Sequence, residues 1–269
     1  MKVISKPSRR VAGLTMVMLT INAISACATL PADPNVKAEV ELLNDPLEPV
    51  NRDVHAFNTE VRRALEPLRE ATAAGTPLAP FWTGLHNILV NLREPLVFAN
   101  DLAQGKECAA GASLRRFMVN STLGIGGLFD VAKFHGVVAH DNDVGLTLAV
   151  WGVPAGPYVV LPGLGPSDLR GTAGIAAEHF IDPIDIGLVK AGASAVVWPV
   201  AGLDVLDQNF DAAPDLDKLE RTSLDGYAAL RSAYRQNQDK VLKDDNCPDV
   251  LRIPPLENST ARRTVDAQR

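Results

Sequence analysis

What this chain lacks narrows its function before any motif is considered. Aromatic residues make up 5% of 269, too few for stacking platforms along single-stranded nucleic acid. Basic residues are outnumbered: 26 Lys and Arg stand against 32 Asp and Glu, a net charge of -6. The basic face of a nucleic-acid binder is therefore missing. Three cysteines cannot build a disulfide-dense scaffold or a four-thiolate zinc site. In the body of the chain no apolar run reaches about 18 residues, the length that reads as an ordinary spanning helix. Hydrophobic residues at 46% and charged residues at 22% exclude a disordered tail and supply a sizeable core. The length suits one or two domains.

The N-terminus is rich where the body is poor. Lys2, Lys6, Arg9 and Arg10 open the chain without an acid, and residues 11–24 are uncharged and mostly apolar. A charged start, a short apolar run and small residues form a secretory signal. It ends in Ile24-Ser25-Ala26-Cys27, a bacterial lipobox, so residues 1–26 are expected to be removed and Cys27 acylated. The twin arginines at 9 and 10 have no further part of a twin-arginine signal beside them. Loss of the four cations leaves 22 basic residues against 32 acidic ones in 27–269, a net of -10. Such a charge gives no attraction to anionic lipid, so acyl chains must supply the anchor. Ala28, in place of the Asp that retains lipoproteins at the inner membrane, directs the chain to the outer membrane.

Residues 27–43 read as a tether containing Pro31 and Pro34, and 44–243 as one mostly helical domain. Asp45, Pro46 and Glu48 form a helix-start pattern, with Asp45 as the cap. Leu47, Val50, Val54, Phe57, Val61 and Leu65 then recur at steps of three or four, which predicts an amphipathic helix. Phe81, Leu85, Ile88, Leu89 and Leu92 repeat the pattern. A further helix is expected from Pro95 to Gly105, another from Leu114 to Leu123, and Ser167 is a candidate N-cap. Residues 124–166 are dense in Gly and Pro yet apolar, so they read as a functional loop or hairpin region rather than disorder. Residues 184–197 carry Lys190 as their only charge. They are a buried core helix or a short helix at membrane depth, being too short to span a bilayer. Residues 215–243 return to charged amphipathic helix, and 244–269 read as a disordered tail. No regular series of alternating strands appears.

Catalytic signatures are absent. There is no G-x-S-x-G elbow, Walker loop or H-E-x-x-H. Gly124-Ile125-Gly126 starts like a dinucleotide fingerprint, but Phe129 holds the place of the third glycine. Asp141-Asn142-Asp143-Val144-Gly145 starts like a calcium loop, but Leu146 and Gly152 occupy the positions needing Gly and Glu. His135 and His140 near Asp141 and Asp143 read as a solvated loop, and His55, His86 and His179 as surface or satisfied core residues. No metal, cofactor or catalytic residue is expected. Cys108 and Cys247 remain after lipidation; in an oxidising compartment they pair or stay free.

Several short runs together resemble the MlaA (VacJ) family of outer-membrane phospholipid-transport lipoproteins. They are Asp45-Pro46-Leu47-Glu48-Pro49-Val50-Asn51-Arg52, Phe57-Asn58, Asn91-Leu92-Arg93-Glu94-Pro95 and Asn100-Asp101-Leu102. The series continues with Gly105-Lys106, Arg116-Phe117-Met118-Val119-Asn120-Ser121-Thr122-Leu123-Gly124 and Gly126-Gly127-Leu128-Phe129-Asp130-Val131-Ala132. Trp151-Gly152-Val153, Gly156-Pro157-Tyr158, Leu161-Pro162 and Leu164-Gly165-Pro166-Ser167 complete it. The series covers about residues 45–235. Two departures stand out: the family often has Phe and Gln within 143–148, and Asp where this chain has Gly171.

The resemblance implies a ring-like helical protein embedded in the inner leaflet of the outer membrane, beside trimeric porins. It implies a polar channel that takes misplaced phospholipid and passes it to a soluble periplasmic carrier. The residues agree with that: carrying a charged head past hydrocarbon needs a polar path, not a nucleophile. Two alternatives remain, a scaffold lipoprotein that positions porins and an acyl-anchored lipid hydrolase. Asn51 and Asn58, two helical turns apart, share a face. With Arg52 and Phe57 they are expected to serve a structural or lipid-path role, the alternative being a water-facing polar stripe. Gly124, Gly126, Gly127 and Phe129 are expected to form a hinge or gate, the alternative being close helix packing.

Overall fold

The computed structural model describes residues 44–251. The signal peptide, Cys27, the tether to residue 43 and residues 252–269 lie outside the described residues. Helices dominate: α1 (Glu48–Thr72), α2 (Ala79–Ala103), α3 (Glu107–Thr122), α4 (Val131–Phe134) and α5 (Val144–Val150) precede a hairpin of β1 (Tyr158–Leu161) and β2 (Gly165–Asp168). Then come α6 (Leu169–Ile181), α7 (Pro183–Lys190), a 3-10 turn (Ser194–Val196), α8 (Val197–Thr222), α9 (Gly226–Lys243) and a 3-10 turn at Asp249–Leu251.

The amphipathic spacing marks α1 correctly, but Asp45 does not cap it. The position before the helix is Leu47, without a side-chain bond, and Asp45 turns inward. Two charge- or hydroxyl-borne partners inside outweigh one capped amide. The expected break at Pro95 is also absent: α2 runs through it. Proline fits helical φ, and its cost is one missing ladder donor for the Asn91 carbonyl. Ser167 is buried in β2, and the cap of α6 is its neighbour Asp168, which accepts from Gly171 N at 2.7 Å.

α2 and α3 pack as a helical hairpin joined at Gly105, whose φ of +74° suits the tight turn. Ala109, Ala110 and Ala112 are almost wholly buried, so small side chains set the close approach. The hairpin pairs Tyr158 with Asp168 and Leu161 with Gly165, antiparallel. α2 is the hub: it touches α1, α3, α5, α7 and α8. α5 packs on α6, α6 on α7, and α7 returns to α2, closing a ring of helices. The α5–α6 crossing is backbone on backbone. A Cβ on Gly174 would lie 2.5 Å from Gly145 N, and one on Gly145 2.9 Å from Gly171 Cα. The departure at Gly171 lies beside this crossing, but a Cβ there would meet Ser167 Oγ at 2.9 Å and not the facing helix.

α7 holds no buried residue, so the buried-core reading of 184–197 falls. The tail expectation changes too. Residues 244–251 are placed by a Cys108–Cys247 disulfide, Cα–Cα 5.3 Å, and Leu251 packs against Ala112, Ala132 and Val137.

Candidate functional site

Many of the polar residues in the quoted runs turn inward and tie elements together. At the first junction Asn51 is 2% exposed. Its amide donates to Asp45 Oδ1 at 2.9 Å and to the Tyr158 carbonyl at 3.0 Å, and its oxygen accepts from Val160 N at 2.9 Å. One turn pair later Asn58 donates to the Leu161 carbonyl at 2.9 Å and accepts from Gly163 N at 2.8 Å. The shared face predicted from spacing is thus a pair of side-chain amides holding the hairpin edge against α1. Asp45 also accepts from Tyr227 and Arg231, which brings α9 to the same point. Burial, then Asp45, pushes the Tyr227 hydroxyl well above its ordinary value. Arg52 bonds Glu48 and Asp225 and lies over the Tyr227 ring at 4.5 Å. That hydrogen bond holds the Asp225 carboxyl down at about 2. Phe57 is exposed. The water-facing alternative fails for Asn51 and Asn58, and their bonds are structural.

Two further junctions fasten α2 to α3 and the loop after it. Arg116, 1% exposed, donates to Glu94, to the Val137 carbonyl at 2.7 Å and to Asp130 at 3.1 Å. Burial pushes Glu94 up and Arg116 pulls it partly back. Asp101 accepts from Ser113 at 3.0 Å and Asn142 at 2.7 Å, and meets His140 Nε2 at 3.0 Å. His140 is therefore tied to Asp101 through Nε2 and does not sit in a solvated loop, while its Nδ1 is buried without a partner. Between these junctions sits the glycine loop. Gly127 has φ +94°, and a Cβ there would fall 2.6 Å from Asn91 Cβ; one on Gly124 would fall 2.2 Å from the Phe129 carbonyl oxygen. Gly126, at φ +70°, has open space. Close packing therefore accounts for Gly124 and Gly127, while Ile125 and Phe129 stay exposed.

Charged groups from several elements gather around Arg93. Arg93 of α2 is 3.2 Å from Asp141 Oδ1 and 3.8 Å from Asp204 Oδ1 of α8. The positive charge of the same guanidinium also reaches Glu178 of α6 and Asp211 of α8, lowering both against the rise that burial causes. His86 of α2 joins Asp207 at 2.9 Å, and that bond raises its pKa. Glu178 accepts from Val144 N at 2.9 Å, and burial pushes it up to about 7. Burial likewise raises Asp143, Asp182, Asp204 and Asp211. As a group they were not legible in the sequence, because they come from segments far apart in the chain: Asp141 and Asp143 read as a rejected calcium loop, His86 as a surface or satisfied core residue, and Arg93 only as part of a longer run.

The outside is apolar. Most exposed large hydrophobics fall between Leu78 and Leu203, among them Phe81, Met118, Phe134 at 86%, Trp151, Phe180 and Trp198 at 73%. Patches of this extent mark contact with lipid or a partner. By contrast α1 and the ends of α8 and α9 carry ion pairs such as Arg62 with Asp217 and Glu220. Among the described residues no helix is long and apolar enough to cross a membrane.

The comparisons with known proteins agree with the series of runs. The family model described as MlaA lipoprotein matches residues 43–241. The chain is 31% identical over 258 residues to the intermembrane phospholipid transport system lipoprotein MlaA of Escherichia coli (strain K12), covering 94% of this chain and 95% of that relative. It is 34% identical over 238 residues to the protein of that name from Haemophilus influenzae, covering 84% and 89%. A solved structure described as "Structural basis for maintenance of bacterial outer membrane lipid asymmetry" superposes with a TM-score of 0.61 at 32% identity, over 74% of this chain and 98% of that one. The chain belongs to the MlaA lipoprotein family.

Proposed function

We propose that this chain is an outer-membrane phospholipid-transport lipoprotein that takes misplaced phospholipid from the outer leaflet through its ring and keeps the two leaflets different. The observation that carries this is the contrast of polarity: charged groups gather around Arg93 of α2, while many large apolar side chains are exposed elsewhere on the helices. A phospholipid head crosses hydrocarbon only at high cost. This gathering offers Arg93 to a phosphate and several carboxylates to an amine head. Non-helical backbone at membrane depth is tolerated where protein buries it or it lines a cavity, which suits the glycine loop. The related proteins named for phospholipid transport support the reading.

Further parts of the proposal follow from it. Cys27 is the acyl anchor and the exposed apolar belt sits in the inner leaflet. Trimeric porins flank it, and a soluble periplasmic carrier accepts the lipid. The exposed loop around Ile125 and Phe129 is the moving part. No bond is made or broken, so the chain is not an enzyme.

Deletion of the gene tests the reading: outer-leaflet phospholipid should rise and fall again when the chain is resupplied. Purified protein with labelled phospholipid should move intact lipid. Unchanged asymmetry in the deletion would overturn the transport reading, and release of fatty acid or lysolipid would make the chain a hydrolase.

A further inference from the structure

One cluster has chemistry that packing alone does not use. His86 on α2 faces two carboxylates on α8: Nδ1 lies 2.9 Å from Asp207 Oδ2 and 3.5 Å from Asp211 Oδ2. One ligand atom from each of the three residues lies within 4.8 Å of the other two. Imidazole nitrogen and carboxylate oxygen bind a zinc-like ion at about 2.0–2.2 Å, which places ligand atoms about 3–4 Å apart. Small side-chain rotations bring the three into that range. Asp207 and Asp211 are four apart on one helix, hence on one face.

A second observation points to a ligand. Asp207 is 3% exposed, and its Oδ1 has no hydrogen-bond partner. A buried carboxylate oxygen left without a donor is costly. The His86 ring meets only Oδ2, so a plain His–Asp pair leaves Oδ1 without a partner. Asp204 and Asp141 add negative charge around the cluster, against Arg93. Asp211 is 63% exposed, which opens the cluster to ions from solvent.

We propose that His86, Asp207 and Asp211 form a site for a divalent transition-metal cation of the zinc type. Three protein ligands leave coordination positions for water or an anionic oxygen. The imidazole favours such ions over Mg²⁺ and Ca²⁺, which prefer all-oxygen shells. The site rests on side-chain geometry, so it stands or falls independently of the lipid passage.

The test uses the mature chain purified without a polyhistidine tag and stripped with EDTA. Calorimetric titration with ZnCl₂ should give one ion per chain, and MgCl₂ under the same conditions should give no comparable binding. His86→Gln and Asp211→Asn should each weaken zinc binding about tenfold or more. Asp211 is 63% exposed, so the metal-free melting curve of Asp211→Asn should match the parent, whereas His86→Gln also removes the partner of buried Asp207 and its zinc response is read against its own metal-free curve. Zinc should raise the melting temperature of the parent and not of the double variant. Absence of saturable zinc binding would overturn the site. So would zinc binding that persists unchanged in the double variant, or equal binding of zinc and magnesium.

Discussion

At the residue scale the polar side chains of the quoted runs act as fasteners. Asn51 is the clearest case, because one amide serves Asp45, the Tyr158 carbonyl and Val160 N. Asn51→Ala would leave two buried backbone groups and a carboxylate short of partners. The expected loss is about 2–4 kcal/mol, read as a lower melting temperature and a shifted urea midpoint. Asn51→Asp should fare no better, since a carboxylate cannot donate to Tyr158. Glu178 gives a prediction of the opposite sign. Its pKa rises from 4.5 to about 7 through burial, so the folded chain holds a proton that the unfolded chain releases. That contribution is fully present below about 4.5 and disappears as pH rises through 7. Glu178→Gln keeps an acceptor for Val144 N and removes the titration. Its stability relative to the parent should therefore climb from about pH 5 to about pH 8, in parallel thermal melts. A difference that stays flat across that window would show that Glu178 titrates normally.

At the element scale the glycine loop separates two demands that the sequence presents as one. Gly124 and Gly127 are held by contact, Gly127 with positive φ as well, whereas Gly126 has positive φ but free space. Gly127→Ala should cost about 2–4 kcal/mol through strain and overlap with Asn91. Gly126→Ala should cost only about 1 kcal/mol, so it alone can report on motion. A folded Gly126→Ala protein with altered outer-leaflet phospholipid would support a moving loop, and one with normal lipid would leave the loop static. This shows what could be read in advance. Periodicity of 3.6 exposes α1 because its apolar face is regular. The proline start signal misplaced a helix boundary at Pro95, where α2 runs on, because a single missing hydrogen bond is cheap beside the packing that α2 makes as the hub. Asp45 misled for a related reason: cap residues are recognised locally, while Tyr227 and Arg231 lie some 180 positions away. The Asn51–Asn58 pair was legible as a face, but its partner strand was not, since β1 is four residues long.

At the scale of the whole molecule, the gathering of charge around Arg93 was invisible to composition, because Asp141 and Asp204 reach it only after α2, α8 and the segment before α5 have packed. Family resemblance supplied the expectation, and side-chain geometry supplies the reason. The outer surface makes the last test. A net charge of -10 for residues 27–269 means anionic lipid will not draw the chain to a membrane. Association beyond the proposed acyl anchor must then come from apolar burial. Phe134, Phe180 and Trp198 are exposed on separate elements, and burying such a side chain is worth about 2 kcal/mol. The chain from residue 28 onward, made without an anchor, should therefore float with neutral phospholipid vesicles. Trp198→Glu and Phe180→Glu should each lower the bound fraction about tenfold or more, without changing the melting curve, since neither side chain is in the core. An anchorless chain that stays wholly in the aqueous fraction would mean that the acyl chains alone hold the protein. The apolar surface would then be left for a protein partner to cover.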